Sequence, residues 1–128
     1  AAPAVEGLMV DVGGDLRCWG CSPDPSGWSI GVADPLAVAD NAPPLAVLTL
    51  GDHAVATSGR GDRDHGVAGR TLSHLLDPRS GRPIMNVAGV TVVADRAADA
   101  DALATAFSAM EVEDSLAMAD GLPGVAVS

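Results

Sequence analysis

A chain of 128 residues has room for one domain, and 48% hydrophobic residues give it a core to bury. Its 17 acidic side chains face only 7 basic ones, all arginine, for a formal charge of −10. Together with 2% aromatic residues this argues against nucleic acid as a partner, because phosphates call for a basic face and bases for aromatic stacking. Asp, Gly or Pro interrupts every apolar run well short of ~18 residues, so no membrane span is expected.

The first residues, Ala1-Ala2-Pro3, include neither an initiator methionine nor the basic-then-apolar pattern of a targeting segment. The chain is therefore expected to be a processed product or the later part of something longer. Residues 8–12 are apolar and β-branched, Gly13-Gly14 breaks them, and 15–19 resume the pattern. Two strands joined by a tight glycine turn are predicted. Cys18 and Cys21 make a Cys-x-x-Cys spacing, which alone fits a redox pair, half a zinc site or two ordinary small residues. A redox pair belongs at a helix N-terminus, whereas Gly20, Ser22, Pro23 and Pro25 read as a loop after a strand. No second Cys or His pair stands at zinc spacing, so neither function is expected of the cysteines.

Residues 28–32 alternate with period two and predict a third strand, followed by a proline-limited loop over 34–44. Residues 46–50 and 54–57 are expected to pair with each other across Gly51-Asp52. The stretch 58–83 reads as irregular, and 87–94 as a fully buried strand. Asp95 suits the N-cap of a following helix, with Asp99 and Asp101 near its positive end. Ala98, Ala102, Thr105 and Ala109 share one face of that helix, and Leu103, Ala106 and Met110 line the next. Residues 111–119 predict a second helix closed by Gly121 and Pro123, and 124–127 a last short strand. The expected class is α+β, with a mixed, largely antiparallel sheet and two C-terminal helices in one domain over 1–128.

The charge is unevenly placed. Residues 60–82 hold five arginines (60, 63, 70, 79 and 82) against three aspartates, a net +2, while the remainder is strongly acidic. Forked arginine donors beside glycine backbone suit a pyrophosphate or other anion. The plainer alternative is a solvated loop whose arginines pair with the acidic remainder.

Four segments in this order carry a resemblance: Val10-Asp11-Val12-Gly13-Gly14-Asp15-Leu16-Arg17, Ala56-Thr57-Ser58-Gly59, Ser73-His74-Leu75-Leu76-Asp77-Pro78-Arg79-Ser80-Gly81-Arg82-Pro83, and Ala100-Asp101-Ala102-Leu103-Ala104-Thr105-Ala106. Together they resemble the ApbE family, the FAD:protein FMN transferases, over nearly the whole chain. The intervening Ile30-Gly31-Val32-Ala33-Asp34-Pro35 and Val90-Thr91-Val92-Val93-Ala94 fit as well. The resemblance implies part of the family's T-fold. It also implies an activity: splitting FAD with a magnesium ion and moving FMN, through a phosphoester, onto a Thr or Ser of an acceptor flavoprotein.

The residues agree in kind. Asp101 and Thr105 stand one helical turn apart, and a carboxylate with a hydroxyl is oxygen chemistry suited to Mg²⁺. Spacing alone leaves them as a solvated Asp and a Thr bonded back to its own helix; the resemblance assigns them as metal ligands. His74 is the candidate for acid–base work on the acceptor hydroxyl or a phosphate oxygen, the alternative being a loop-fixing histidine bonded to Asp77. Thr57, Ser58 and Gly59 offer hydroxyls and backbone N–H groups to a phosphate. Gly13 and Gly14 permit close approach to the flavin ring with Asp15 beside them, or form nothing more than a hairpin turn. His53 and His65 are set aside as surface residues.

The family is longer and has a lysine–glycine element before the Gly-Gly-Asp strand, whereas this sequence has no lysine. The chain is accordingly expected to be the C-terminal portion of a flavin transferase, with the N-terminal half absent and its apolar contact surface covered by that half or by self-association. Two readings follow. One is a part of a magnesium-dependent transferase with FAD as substrate; the other is a non-catalytic module that binds flavin or a partner protein. An exported, periplasmic or membrane-anchored setting through an absent N-terminus is expected, with a cytoplasmic one as the alternative. In the exported case Cys18 and Cys21 are candidates for a disulfide.

Overall fold

The computed structural model describes residues 4–37, 39, 41–60, 64–67 and 70–128. Its frame is a five-stranded sheet ordered β1-β2-β5-β8-β9, built from β1 (Gly7–Val12), β2 (Asp15–Gly20), β5 (Ala54–Gly59), β8 (Gly89–Ala94) and β9 (Ala126–Val127). All strand pairs among the described residues are antiparallel. The glycine turn between β1 and β2 is as expected. Gly13 and Gly14 both take positive φ, 67° and 99°, which a tight two-residue hairpin requires and side chains resist.

The expected pairing of residues 46–50 with 54–57 does not occur. β4 (Ala46–Leu50) pairs with β3 (Trp28–Val32) in a separate two-stranded sheet, while β5 enters the main sheet between β2 and β8. The physical reason lies in the two faces of β5. Ala54 and Ala56 point to the helices, and Val55 points the other way, into a cluster with Cys18, Ile30 and Leu50. A central strand covered on both faces outweighs a local hairpin. Cys18 is fully buried in that cluster and burial pushes its thiol pKa up, while Cys21 is exposed. Both are free thiols, and neither has the environment of a reactive pair.

On the opposite face, α1 (Ala97–Ser108) packs across β5 and β8. The face it buries is Ala100, Ala104, Phe107 and Ser108, with Leu103 and Met110 partly buried against the same core; Ala98, Ala102 and Thr105 are exposed. Alanines at the contact let the helix lie close to Ala54, Ala56 and Val92, and Phe107 fills the remaining gap. The N-cap is Arg96, without a side-chain cap, rather than Asp95. Asp95 instead lies 3.9 Å from His53 Nε2. The second helix, α2 (Val112–Asp120), and its Gly121 C-cap follow expectation within one residue.

The stretch read as irregular holds order: β5 continues to Gly59, and a short hairpin joins β6 (His65–Val67) to β7 (Arg70–Leu72). Edge strand β1 leaves Leu8, Met9, Val10 and Val12 exposed. Among the described residues no helix is long and apolar enough to cross a membrane.

Candidate functional site

The end of β5 sets the position of the site. Thr57 and Ser58 leave the sheet's core there, and Gly59 follows where β5 passes Ala88; a Cβ on it would stand 2.9 Å from the Ala88 carbonyl oxygen. Thr57 is anchored by a cross-strand hydroxyl bond to Thr91 at 2.9 Å. Ser58 Oγ is 2.9 Å from Thr105 Oγ1, which ties the strand end to α1. The helix therefore brings Asp101, one turn earlier, to the same opening.

These residues border a cleft of about 450 Å³. Gly13 and Asp15 form one wall, Thr57, Ser58 and Gly59 the floor, and Asp101 with Thr105 the helix side. Arg60, His74 and Leu75 close it opposite, and Ala33 and Pro35 make the rim. The rim is held by an Asx turn in which the Leu36 N–H donates to Asp34 Oδ1 at 2.9 Å. All the expected site residues except Gly14 line this cleft. Gly14 serves the turn, its N–H donating to Asp11 Oδ1 at 2.9 Å. A smaller groove continues from Asp15 and Asp101 past Arg17, Val10 and Val12.

His74 is bonded to Asp64, not to Asp77. The Asp64 carboxylate accepts from the His74 backbone N–H at 3.3 Å and faces Nδ1 at 3.1 Å. It is 2% exposed and lies 3.6 Å from Arg60 Nε. Asp77 works within its own loop. The Arg79 backbone N–H and then the Ser80 hydroxyl hold its carboxyl well below the usual range, at about 2.

The sequence shows Arg60 and Asp64 only as members of the basic stretch and points to no individual role for either. Their signal is topological: the β6–β7 register pairs His65 with Leu72, which brings residues just outside the hairpin, Asp64 and His74, side by side. Of the basic stretch itself, Arg63 and Asp62 lie outside the described residues, as do the side chains of Arg70 and His65. Arg79 donates to the Ala109 carbonyl at 2.8 Å and lines a different pocket with Arg82. The arginines thus do not converge on the cleft, and Arg60 is the one that the described residues place there.

Hydroxyls at the end of β5, beside an arginine, a histidine and two carboxylates, line a cleft of mixed polar and apolar surface in an α+β domain, and these groups suit a phosphorylated ligand. The chain belongs to the ApbE family, whose profile matches residues 1–128. It is 36% identical over 117 residues to an FAD:protein FMN transferase of Vibrio cholerae, covering 91% of this chain and 34% of that protein. It is 32% identical to the transferase of the same name from Treponema pallidum, covering 97% and 36%. In structure it is similar to the ApbE protein of Thermotoga maritima, with a TM-score of 0.80, 32% identity, and 94% and 38% of the two chains covered. The flavin transferase ApbE of Vibrio cholerae superposes with a TM-score of 0.73 at 36% identity, covering 95% and 38%. The chain spans about a third of the length of the curated relatives it matches.

Proposed function

We propose that this chain takes part in magnesium-dependent transfer of FMN from FAD to a Thr or Ser hydroxyl of an acceptor flavoprotein. The observation that supports this best is the convergence of His74, the Thr57–Ser58–Gly59 floor and the Asp101–Thr105 pair on a single cleft. In the reaction the acceptor oxygen forms a bond to the FMN phosphorus while the bond from that phosphorus to the AMP phosphate oxygen breaks. His74 takes the hydroxyl proton, and AMP leaves with the bridging oxygen. The protein's work is to align the two oxygens and to neutralise charge on the phosphoryl group. The Thr57 and Ser58 hydroxyls and the Arg60 guanidinium are the groups among the cleft's lining residues that can donate for that purpose.

Asp101 and Thr105 would hold the metal. Among the described residues no group of three His, Cys, Asp or Glu side chains comes together, so this is not a closed all-protein cage. One carboxylate and one hydroxyl do fit a hard cation that keeps waters and takes substrate phosphate oxygens. Thr105 can donate to Ser58 and keep lone pairs for the ion. Magnesium would supply charge neutralisation on the phosphoryl oxygens.

In this reading residues of the relatives beyond the matched third complete the flavin pocket and cover the apolar surface of β1. The second reading, a flavin-binding module without transfer, draws on that same partial coverage. Titration of FAD with the chain separates them: flavin fluorescence is expected to be quenched more strongly with Mg²⁺ than with EDTA. Quenching indifferent to Mg²⁺ favours the module, and no quenching at any protein concentration contradicts the module, because the transfer reading takes the rest of its flavin pocket from residues beyond the matched third.

A further inference from the structure

We propose that Asp64 is a positioning residue for His74: its carboxylate fixes the ring so that Nδ1 carries the proton and Nε2 is the atom offered to the cleft. The inference rests on the transfer reading only for what Nε2 then does. The geometry is local. Asp64 precedes β6 and His74 follows β7, so the hairpin that joins them holds the two residues together across a ten-residue separation. The carboxylate is 2% exposed and so requires partners in place of water. Its neighbours include the His74 backbone N–H at 3.3 Å, His74 Nδ1 at 3.1 Å and Arg60 Nε at 3.6 Å.

A carboxylate only accepts, so Nδ1 bonds it as a donor. A neutral imidazole carries one ring proton, and a donor at Nδ1 makes Nε2 the acceptor. His74 lines the cleft, so Nε2 is the nitrogen left to take a proton from a hydroxyl there. The backbone bond to the same carboxylate holds the main chain of His74 as well as its ring. Arg60, itself anchored by its N–H to the Ala88 carbonyl at 2.8 Å, keeps a cation beside Asp64 while its side chain borders the cleft. An aspartate ten residues before the histidine therefore sets which ring nitrogen can act as base.

The test is the ring-proton position in the chain labelled with ¹⁵N-histidine, read by long-range ¹H–¹⁵N correlation at a pH above the imidazole range. His74→Gln assigns the signals, and His53 serves as the internal control. The wild-type chain is expected to show His74 as the Nδ1–H form. Asp64→Ala is expected to lose that form in favour of Nε2–H, the form a free imidazole prefers, with His53 unmoved. Asp64→Asn, which keeps the space filled, is expected to give a mixture. An Nε2–H ring in the wild type overturns the proposal, and so does an unchanged ring in either folded variant. Should both variants fail to fold, the wild-type form decides alone. The readout needs no FAD, metal or acceptor, so failure of the transfer reading leaves it intact and its own failure leaves the transfer reading intact.

Discussion

Replacing His74 with glutamine is expected to lower covalent FMN transfer by about 10²–10⁴-fold, the usual contribution of a positioned general base. Glutamine keeps a polar side chain of similar reach in the cleft but cannot take the acceptor's proton at neutral pH. FAD binding should stay near the wild-type level, because Thr57, Ser58, Gly59 and Arg60 still line the floor and wall. The measurement is single-turnover transfer to an acceptor flavoprotein, followed as flavin fluorescence that survives denaturation. Since the chain spans about a third of its relatives, the assay is run in a chimera in which this chain replaces the matching segment of the Vibrio cholerae transferase. Equal loss of binding and transfer would make His74 a part of the loop's structure and not its base.

Asp101→Ala is expected to abolish the magnesium dependence of transfer and to slow it on the order of 100-fold, about 2.7 kcal/mol of transition-state stabilisation lost with metal-assisted charge neutralisation. The fold should tolerate the change. Asp101 is exposed on α1, whose buried contacts are Ala100, Ala104 and Phe107, and alanine is a good helix former. A magnesium titration of FAD fluorescence gives a second readout, with the Mg²⁺-dependent part of the quenching lost. If Asp101→Ala responds to magnesium as the wild type does, the ion is held elsewhere.

The cleft was legible in the sequence because its residues sit in short segments whose order carries the resemblance, and the cleft brings those segments together. The relation between His74 and Asp64 was not legible. Asp77 is nearer in the chain, and only the β6–β7 pairing, in a stretch without a clear strand pattern, makes Asp64 the neighbour. The partner of β4 is hidden in the sequence for a related reason. Gly51-Asp52 is a good turn, but turn chemistry does not say whether the strands beside it pair with each other, and the two-sided burial of β5 decides it. Helix α1 shows the limit of periodicity in an alanine-rich segment. Where most positions are Ala, the pattern hardly distinguishes the faces, and the fit of Phe107 against the sheet selects the buried one. The arginines of the basic stretch illustrate the same limit for charge, because counting them says nothing of direction. Arg79 turns to the end of α1, and Arg60 to the cleft.

Covalent transfer assisted by this cleft is the reaction to detect. Its most direct measurement is incubation of the chimera with FAD, an acceptor flavoprotein and Mg²⁺, followed by denaturing electrophoresis and mass analysis of the acceptor. A fluorescent acceptor carrying FMN on a Thr or Ser is expected, with AMP released in equal amount and far slower adduct formation in EDTA. An acceptor that stays unmodified while the chimera binds FAD equally with and without Mg²⁺ would contradict it.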